Sequence, residues 1–396
     1  MKLEDRDATH PVIRWLMADA RKFTDPNEFL GAFAGELRGA GIDVSRITTG
    51  VPILHPQIFS FSGLWELGKG TSERLYRSGP GLSEAMRSSP IGIAYEGGGP
   101  VRCDPTAPSS PGEFAILEDL RRDGYTDYVV YAVPFADGSF KALSLATRHG
   151  GGFAVEELAL FEALIPALAF NLEVQALRRT ARTLLDTYVG QQSGGRVLEG
   201  QIQRGSGETI SAVIWLCDLR GFTGLSEKLP RDTLIDMLNG YFGPMCDSVL
   251  SHGGEVLKFI GDAMLAIFPI GEDSVATCAR ALSAARRAQS VLAEDNRHRE
   301  DSRLPRIDYG LALHVGDVMY GNIGSDTRLD FTVIGPAVNL TARLESKCQD
   351  LGRQLLLSSD FVSAGRIEAQ SLGRFALKGV SADQEIFAPI SPDVPG

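Results

Sequence analysis

The chain has 396 residues, a net charge of −11, 43% hydrophobic residues and 22% charged ones, as expected of a soluble globular protein with room for two cores. The negative charge excludes nonspecific binding along a nucleic-acid backbone, so chemistry on polyanions has to rest on a few local basic groups or on metal ions. Five cysteines (Cys103, Cys217, Cys246, Cys278, Cys348) are scattered without a C-x-x-C pair, which predicts reduced thiols rather than a disulfide frame. The opening MKLEDRDATH has no signal-peptide pattern, and the apolar stretch ALFEALIPALAF at 159–170 is too short to span a bilayer and carries a Glu. A cytoplasmic protein with no membrane span and no nucleic-acid partner is expected.

In chain order, residues 1–153 alternate short apolar runs with turn-rich connectors, among them PFADGSF at 134–140 and a loop, EGGGPVRCDPTAPSSPG at 96–112, expected to be mobile. A long helix follows over 154–189, with Leu158, Phe161, Leu164, Leu168, Leu172, Leu177 and Leu184 mostly three or four apart; Pro166 should kink it. That spacing leaves a parallel pairing of two such helices open. QQSGG at 191–195 should break the helix, and a polar linker to residue 207 leads into a second domain over 208–390, with a tail at 391–396.

The second domain opens with SAVIWLCD, a buried strand ending on Asp218. A helix is expected over 230–251, then two strands in EVLKFIGDAMLAIF joined by a hairpin at Gly261-Asp262, then a helix over 274–295. IDYGLALHVGDVMYGNIG reads as two further strands, DFTVIGPAVNLTAR runs into a helix, and LLLS with FALKGV supplies closing strands. The order implies an α+β architecture, an α/β sandwich with one sheet and helices on one face.

Several residues in this half invite chemistry. Asp218 precedes a Gly-containing turn into a helix, where backbone N–H groups of Gly221, Phe222 and Thr223 could receive phosphate oxygens. Two carboxylates at strand ends, Asp218 and Asp262, suit hard divalent ions on a phosphate chain. Strand alternation puts Lys258 on a face with Val256 and Ile260, where an ammonium needs a partner or an exit to water. Asn339 and Arg343, four apart on a helix, leave one face together with no acid in place for the Arg fork, as suits a phosphoryl group gaining charge. Singly, these residues read as an N-cap, a turn aspartate, a snorkelling lysine and a solvated helix face.

Together, D-L-R-G-F-T, K-F-I-G-D and D-F-T-V-I-G-P-A-V-N-L-T-A-R, in that order, closely resemble the catalytic domain of class III nucleotidyl cyclases, and the resemblance covers most of 208–390. It implies a ferredoxin-like α/β sandwich in which Asp218, Asp262 and Leu219 hold two Mg²⁺ or Mn²⁺ ions. It further implies that Asn339 orients the ribose, Arg343 stabilises charge on the α-phosphate, and Lys378 of FALKGV binds phosphate. Lys258 and Thr332 would read the base; Thr where many adenylyl cyclases have Asp resembles a Thr-bearing subclass, some of whose members respond to bicarbonate. ATP is the favoured substrate, since Lys can donate to adenine N1 and Thr can accept from N6. A head-to-tail homodimer is implied, one chain giving the metal pair and the other Lys258, Thr332, Asn339 and Arg343. The alternatives are a guanylate or mixed-specificity cyclase, disfavoured by Lys258, and a catalytically inactive nucleotide-binding dimer. HGGEV at 252–256 is a poor match to diguanylate cyclases, which leave Asn339 and Arg343 unexplained. His314 reads as structural.

The segment from Tyr131 to Glu173 resembles the second half of a GAF domain, which implies a GAF-like sensor upstream of the cyclase, joined by the 154–189 helix. Such domains often bind a small molecule or dimerise. Cys103 lacks the following His of a bilin site, and His10, His55 and His149 are candidate ligands of a metal or haem.

Overall fold

The computed structural model describes residues 10–52, 58–77 and 87–390; residues 1–9, His55 and the 391–396 tail lie outside the described residues. The chain divides into two compact units, Met1–Leu184 and Leu185–Gly396.

In the first unit, β1 (Arg46–Pro52), β2 (Ile58–Glu66), β3 (Gly70–Arg77), β4 (Val101–Cys103), β5 (Asp127–Pro134) and β6 (Phe140–Thr147) form an antiparallel sheet in the order β3-β2-β1-β6-β5-β4. Helices α1 (Pro11–Ala18) and α2 (Pro26–Gly39) lie on one face and α3 (Pro90–Tyr95) and α4 (Ile116–Arg122) on the other; α5 (Val155–Tyr188) joins the first face. Strand β5 shows why its sequence is apolar at nearly every position. Val129, Tyr131 and Val133 point into the core with Phe29, Phe33 and Phe161, whereas Tyr128 and Val130 point into the core with Leu117 and Leu120, and a strand covered on both faces loses the polar alternation.

Several local expectations change here. The 96–112 segment contains β4, and Arg121 holds its loop by donating to the carbonyls of Pro105 and Ala107 and to Glu113. Pro166 sits inside an unbroken α5. The helix ends at Tyr188, and QQSGG, expected as the break, opens the next helix, α6 (Gln191–Leu198), directly after Gly190. Tertiary packing overrides the poor helix propensity of its two glycines: Ser193 and Gly194 are buried, and Glu255 accepts from the Ser193 amide at 2.8 Å and hydroxyl at 2.6 Å. His10 and His149 each accept a backbone N–H two residues on through Nδ1, from Val12 and Gly151, so each serves its own turn.

The second unit is built on β7 (Gly207–Leu219), β8 (Glu255–Ile260), β9 (Ala263–Pro269), β10 (Tyr309–Gly324), β11 (Leu329–Ile334), β12 (Leu355–Ser358), β13 (Ala369–Phe375) and β14 (Gln384–Pro389). The order is β13-β14-β12-β10-β7-β9-β8, with β11 paired to β10. A short α7 (Phe222–Lys228) follows β7; α8 (Arg231–Ser251), α9 (Ser274–Asp301) and α11 (Ser359–Gly365) cover one face. Helix α10 (Pro336–Asp350) covers the other, with Leu344 and Cys348 against Ala312 and Leu356. The expected single helical layer is therefore two, because the central β7 run SAVIWLCD is apolar on both faces: Val213, Trp215 and Cys217 on one, Ala212 and Ile214 on the other. The pair of strands expected around Gly316 is one 16-residue strand, β10, paired with β7 along its first thirteen residues, Tyr309 to Gly321. Strand β13 stops at Phe375, which leaves Lys378 in the following turn.

Glu255 ties α6 to this sheet. It is 2% exposed and also accepts from the Tyr320 hydroxyl at 2.8 Å. Glu255→Ala should leave the Ser193 and Tyr320 donors without that acceptor and cost the second unit about 2 kcal/mol, read as a lower midpoint in urea denaturation.

Candidate active site

Asp218 and Asp262 come together through sheet register. Cys217 pairs with Met264 across β7 and β9, so the next residue of β7 faces the start of β9 and the Gly261-Asp262 turn. Gly261 holds φ +65°, the left-handed conformation a tight turn needs and glycine supplies at least cost. Cys217 and Leu219 point into the helix-covered core, so Asp218 points to the opposite face. It is half-buried, and among the described residues nothing hydrogen-bonds its Oδ1 atom. Burial, then the charge and hydrogen bonding of Asp262, pushes the Asp218 carboxyl up to about 6. Gly221, at φ +69°, starts α7 without a side-chain cap, so the first-turn N–H groups at Phe222 and Thr223 face no capping oxygen.

A third acid, absent from the sequence-based set, faces this pair. Glu345 on α10 lies against Gly310, the β10 partner of Asp218, so closely that a Cβ at position 310 would overlap its carboxylate. Burial, with a smaller contribution from Asp218 and opposition from Arg220, pushes Glu345 up to about 7. The signal was present in the helix stripe. Ala337, Thr341, Leu344 and Cys348 are buried, and position 345, four beyond Thr341, falls on the same side.

The remaining candidates lie apart from the acids. Arg343 and Asn339 are exposed, and Arg343 is two residues from Glu345, about 200° around the helix. Arg343 therefore leaves α10 on the side opposite the acid cluster. Lys378 is exposed in its turn. The expected face of Lys258 is corrected by a β-bulge. Val256 pairs with Ala266 but Lys258 with Leu265, which makes Leu257 the extra residue and turns Lys258 to the face opposite Val256. There its Nζ atom meets Asp330 Oδ2 of β11 at 2.5 Å. Thr332, two residues along β11, is 4% exposed, and its hydroxyl has no partner among the described residues. His314 is buried with Nδ1 2.9 Å from the Ser358 hydroxyl, and burial holds its imidazole down to about 4.

Oxygen donors only, one of them buried and unpartnered, fit a hard divalent cation. Among the described residues no cluster of three or more His, Cys, Asp or Glu side chains could close around an ion. The acid pair, with the Leu219 carbonyl, would thus leave coordination positions for water and phosphate oxygens.

Residues 206–388 match the family model described as the adenylate and guanylate cyclase catalytic domain. The chain is similar to an adenylate cyclase of Anabaena cylindrica, 35% identical over 165 residues, which cover 41% of this chain and 32% of the relative. It is also similar to a terminal-differentiation-specific adenylate cyclase of Dictyostelium discoideum, 34% identical over 148 residues, 37% of this chain and 7% of the relative. Among solved structures it resembles the adenylyl cyclase CyaB of P. aeruginosa (27% identity, 48% of this chain and 98% of that one, TM-score 0.44) and the guanylyl cyclase Cya2 (31%, 48% and 97%, TM-score 0.42). The chain spans about a third or less of the length of these two curated relatives.

The raised carboxyls of Asp218 and Glu345 set a pH dependence. A carboxyl that holds its proton more tightly when folded destabilises the fold as pH rises from the ordinary carboxylate range to its folded value. Without divalent cations, the melting temperature should thus fall between about pH 4 and 7 on account of these two groups. Mn²⁺ should raise it more at pH 8 than at pH 5.5, because the ion competes with the proton. Differential scanning fluorimetry of wild type and Asp218→Asn tests this; the variant should lose most of the Mn²⁺ response.

Proposed function

We propose that the chain is an adenylate cyclase that converts ATP to 3′,5′-cyclic AMP and pyrophosphate at sites shared between two copies, under the control of its first unit. The observation that carries this reading is the convergence of Asp218 and Asp262 around an unpartnered buried oxygen, with Arg343 projecting from the far side of α10. The arginine leaves α10 about 200° around the helix from Glu345, and a second chain placed head-to-tail would supply a fork to the acid pair. Exposed Phe259 and Ile260 on the sheet-edge strand β8, together with Ile334, offer apolar surface for that association. Leu177 and Leu184, exposed on α5, support a parallel pairing of that helix in the same dimer.

Two Mg²⁺ or Mn²⁺ ions, held by Asp218, Asp262 and the Leu219 carbonyl, would acidify the ribose 3′-hydroxyl and neutralise phosphate charge. The 3′-oxygen gives its proton to solvent water and bonds to the α-phosphorus as the bond to pyrophosphate breaks. Asn339 holds the ribose in line for that attack. Arg343 meets the charge that grows on the α-phosphate, where a fixed fork acts without reorganisation. N–H groups of Gly221, Phe222 and Thr223, and the Lys378 ammonium, receive the outer phosphates. Lys258 and Thr332 read adenine. The first unit, with its six described strands between helical layers, is proposed as a GAF-like sensor for a small molecule.

Purified protein with ATP or GTP and Mg²⁺ or Mn²⁺ should yield cyclic AMP from ATP; cyclic GMP as the main product would overturn the base assignment. Asp218→Ala and Arg343→Ala chains should each be inactive. Their mixture should regain roughly a quarter of wild-type activity, since random pairing makes half the dimers mixed, each with one intact site. No recovery in verified mixed dimers would exclude shared sites.

A further inference from the structure

Asp330 lies outside the set of residues assigned so far, yet it makes the closest polar contact at the base-reading lysine. Its Oδ2 atom is 2.5 Å from Lys258 Nζ. The pair joins two separate elements, β8 and β11, and is formed because the bulge at Leu257 turns Lys258 toward β11. The Asp330 side chain is 57% exposed, whereas Thr332, on the same side of β11 two residues along, is buried at 4%. A nucleotide arriving from solvent meets the carboxylate before the hydroxyl.

We propose that Asp330 is a specificity-determining residue of the cyclase site: its carboxylate, set against the Lys258 ammonium, is the hydrogen-bond acceptor for the exocyclic amino group of an adenine base. The inference rests on the cyclase reading and moves the acceptor role in it from the Thr332 hydroxyl to the Asp330 carboxylate. Adenine presents a ring acceptor and an amino donor on neighbouring atoms of one edge. An ammonium and a carboxylate already in contact present the complementary donor and acceptor at that spacing. Guanine carries the two in the reverse order, so a pair fixed on two strands sets like against like. A carboxylate accepts more strongly than a hydroxyl, so the acidic acceptor is supplied here two residues before the buried Thr332, whose hydroxyl has no partner among the described residues.

The competing role for Asp330 is a surface ion pair that only restrains Lys258. Binding and turnover separate the two. Full-length wild type, Asp330→Ala, Asp330→Asn and Thr332→Ala would be titrated with ATP and with GTP in Ca²⁺ by calorimetry, then assayed for cyclic products in Mn²⁺. Asp330→Ala should weaken ATP binding and lower kcat/KM for ATP about tenfold or more, with GTP nearly unchanged, so that the ATP-to-GTP ratio collapses. Asp330→Asn, which keeps an acceptor oxygen, should recover part of the ratio, and Thr332→Ala should change it less than Asp330→Ala. An unchanged ratio in Asp330→Ala with unchanged melting temperature overturns the proposal while leaving the cyclase reading intact. Wild type that binds neither nucleotide, or cyclises neither, overturns the cyclase reading and this inference with it.

Discussion

The second unit is organised around holding two like charges side by side. Burial disfavours the Asp218 carboxylate and the neighbouring Asp262 charge adds to the cost, which is why the Asp218 carboxyl rises to about 6. Such an arrangement persists only where the surrounding frame over-determines it. Strand β7 provides that frame: it is central, paired on both sides, and apolar on both faces through Val213, Trp215, Ala212 and Ile214. The β8–β9 hairpin then brings Asp262 in by register, and α10 adds Glu345 from the other side. The folded chain carries an electrostatic deficit at this point that a divalent cation would offset, which would link metal affinity and fold stability through the same carboxylates.

Helix α10 divides the chemistry. One side is the packed stripe of Ala337, Thr341, Leu344 and Cys348 with Glu345 at its margin, and the other carries Asn339 and Arg343 into solvent. An arginine that served its own acid pair would be neutralised by it and lost to the substrate. On the proposed reading, its place on the opposite side would keep the guanidinium open for phosphate and make activity depend on association. Regulation would follow from that dependence, because a change in how two chains meet would alter the distance between the fork and the acids.

Much of this was legible in the sequence, and what was not has physical causes. The strand-end acids, the hairpin glycine and the Asn–Arg spacing are local features, readable because turn geometry and helical period are local. Lys258 was assigned to the wrong face because strict alternation assumes no bulge, and a bulge is set by cross-strand packing that one strand does not reveal. QQSGG was assigned as a break because propensity favours it, whereas the buried Glu255 contact that makes it helical comes from 62 residues away. Glu345 escaped because its neighbours Arg343 and Lys347 make the segment look solvated. Strict alternation also hides Asp330, because it puts the partner Lys258 on the other face.

The acidic net charge and the proposed handling of a triphosphate are compatible for a reason of scale. At physiological ionic strength charges are screened beyond about 8 Å, so the potential a nucleotide meets is set by what lies within one site rather than by the −11 of the whole chain. Of the basic residues proposed for the site, Arg343 and Lys378 are exposed cations and Lys258 is already paired with Asp330. The acid pair is repulsive to phosphate until it holds a cation. Nucleotide affinity in such a site should therefore follow the divalent ion far more steeply than it follows monovalent salt, the reverse of a protein that grips phosphates with a basic surface.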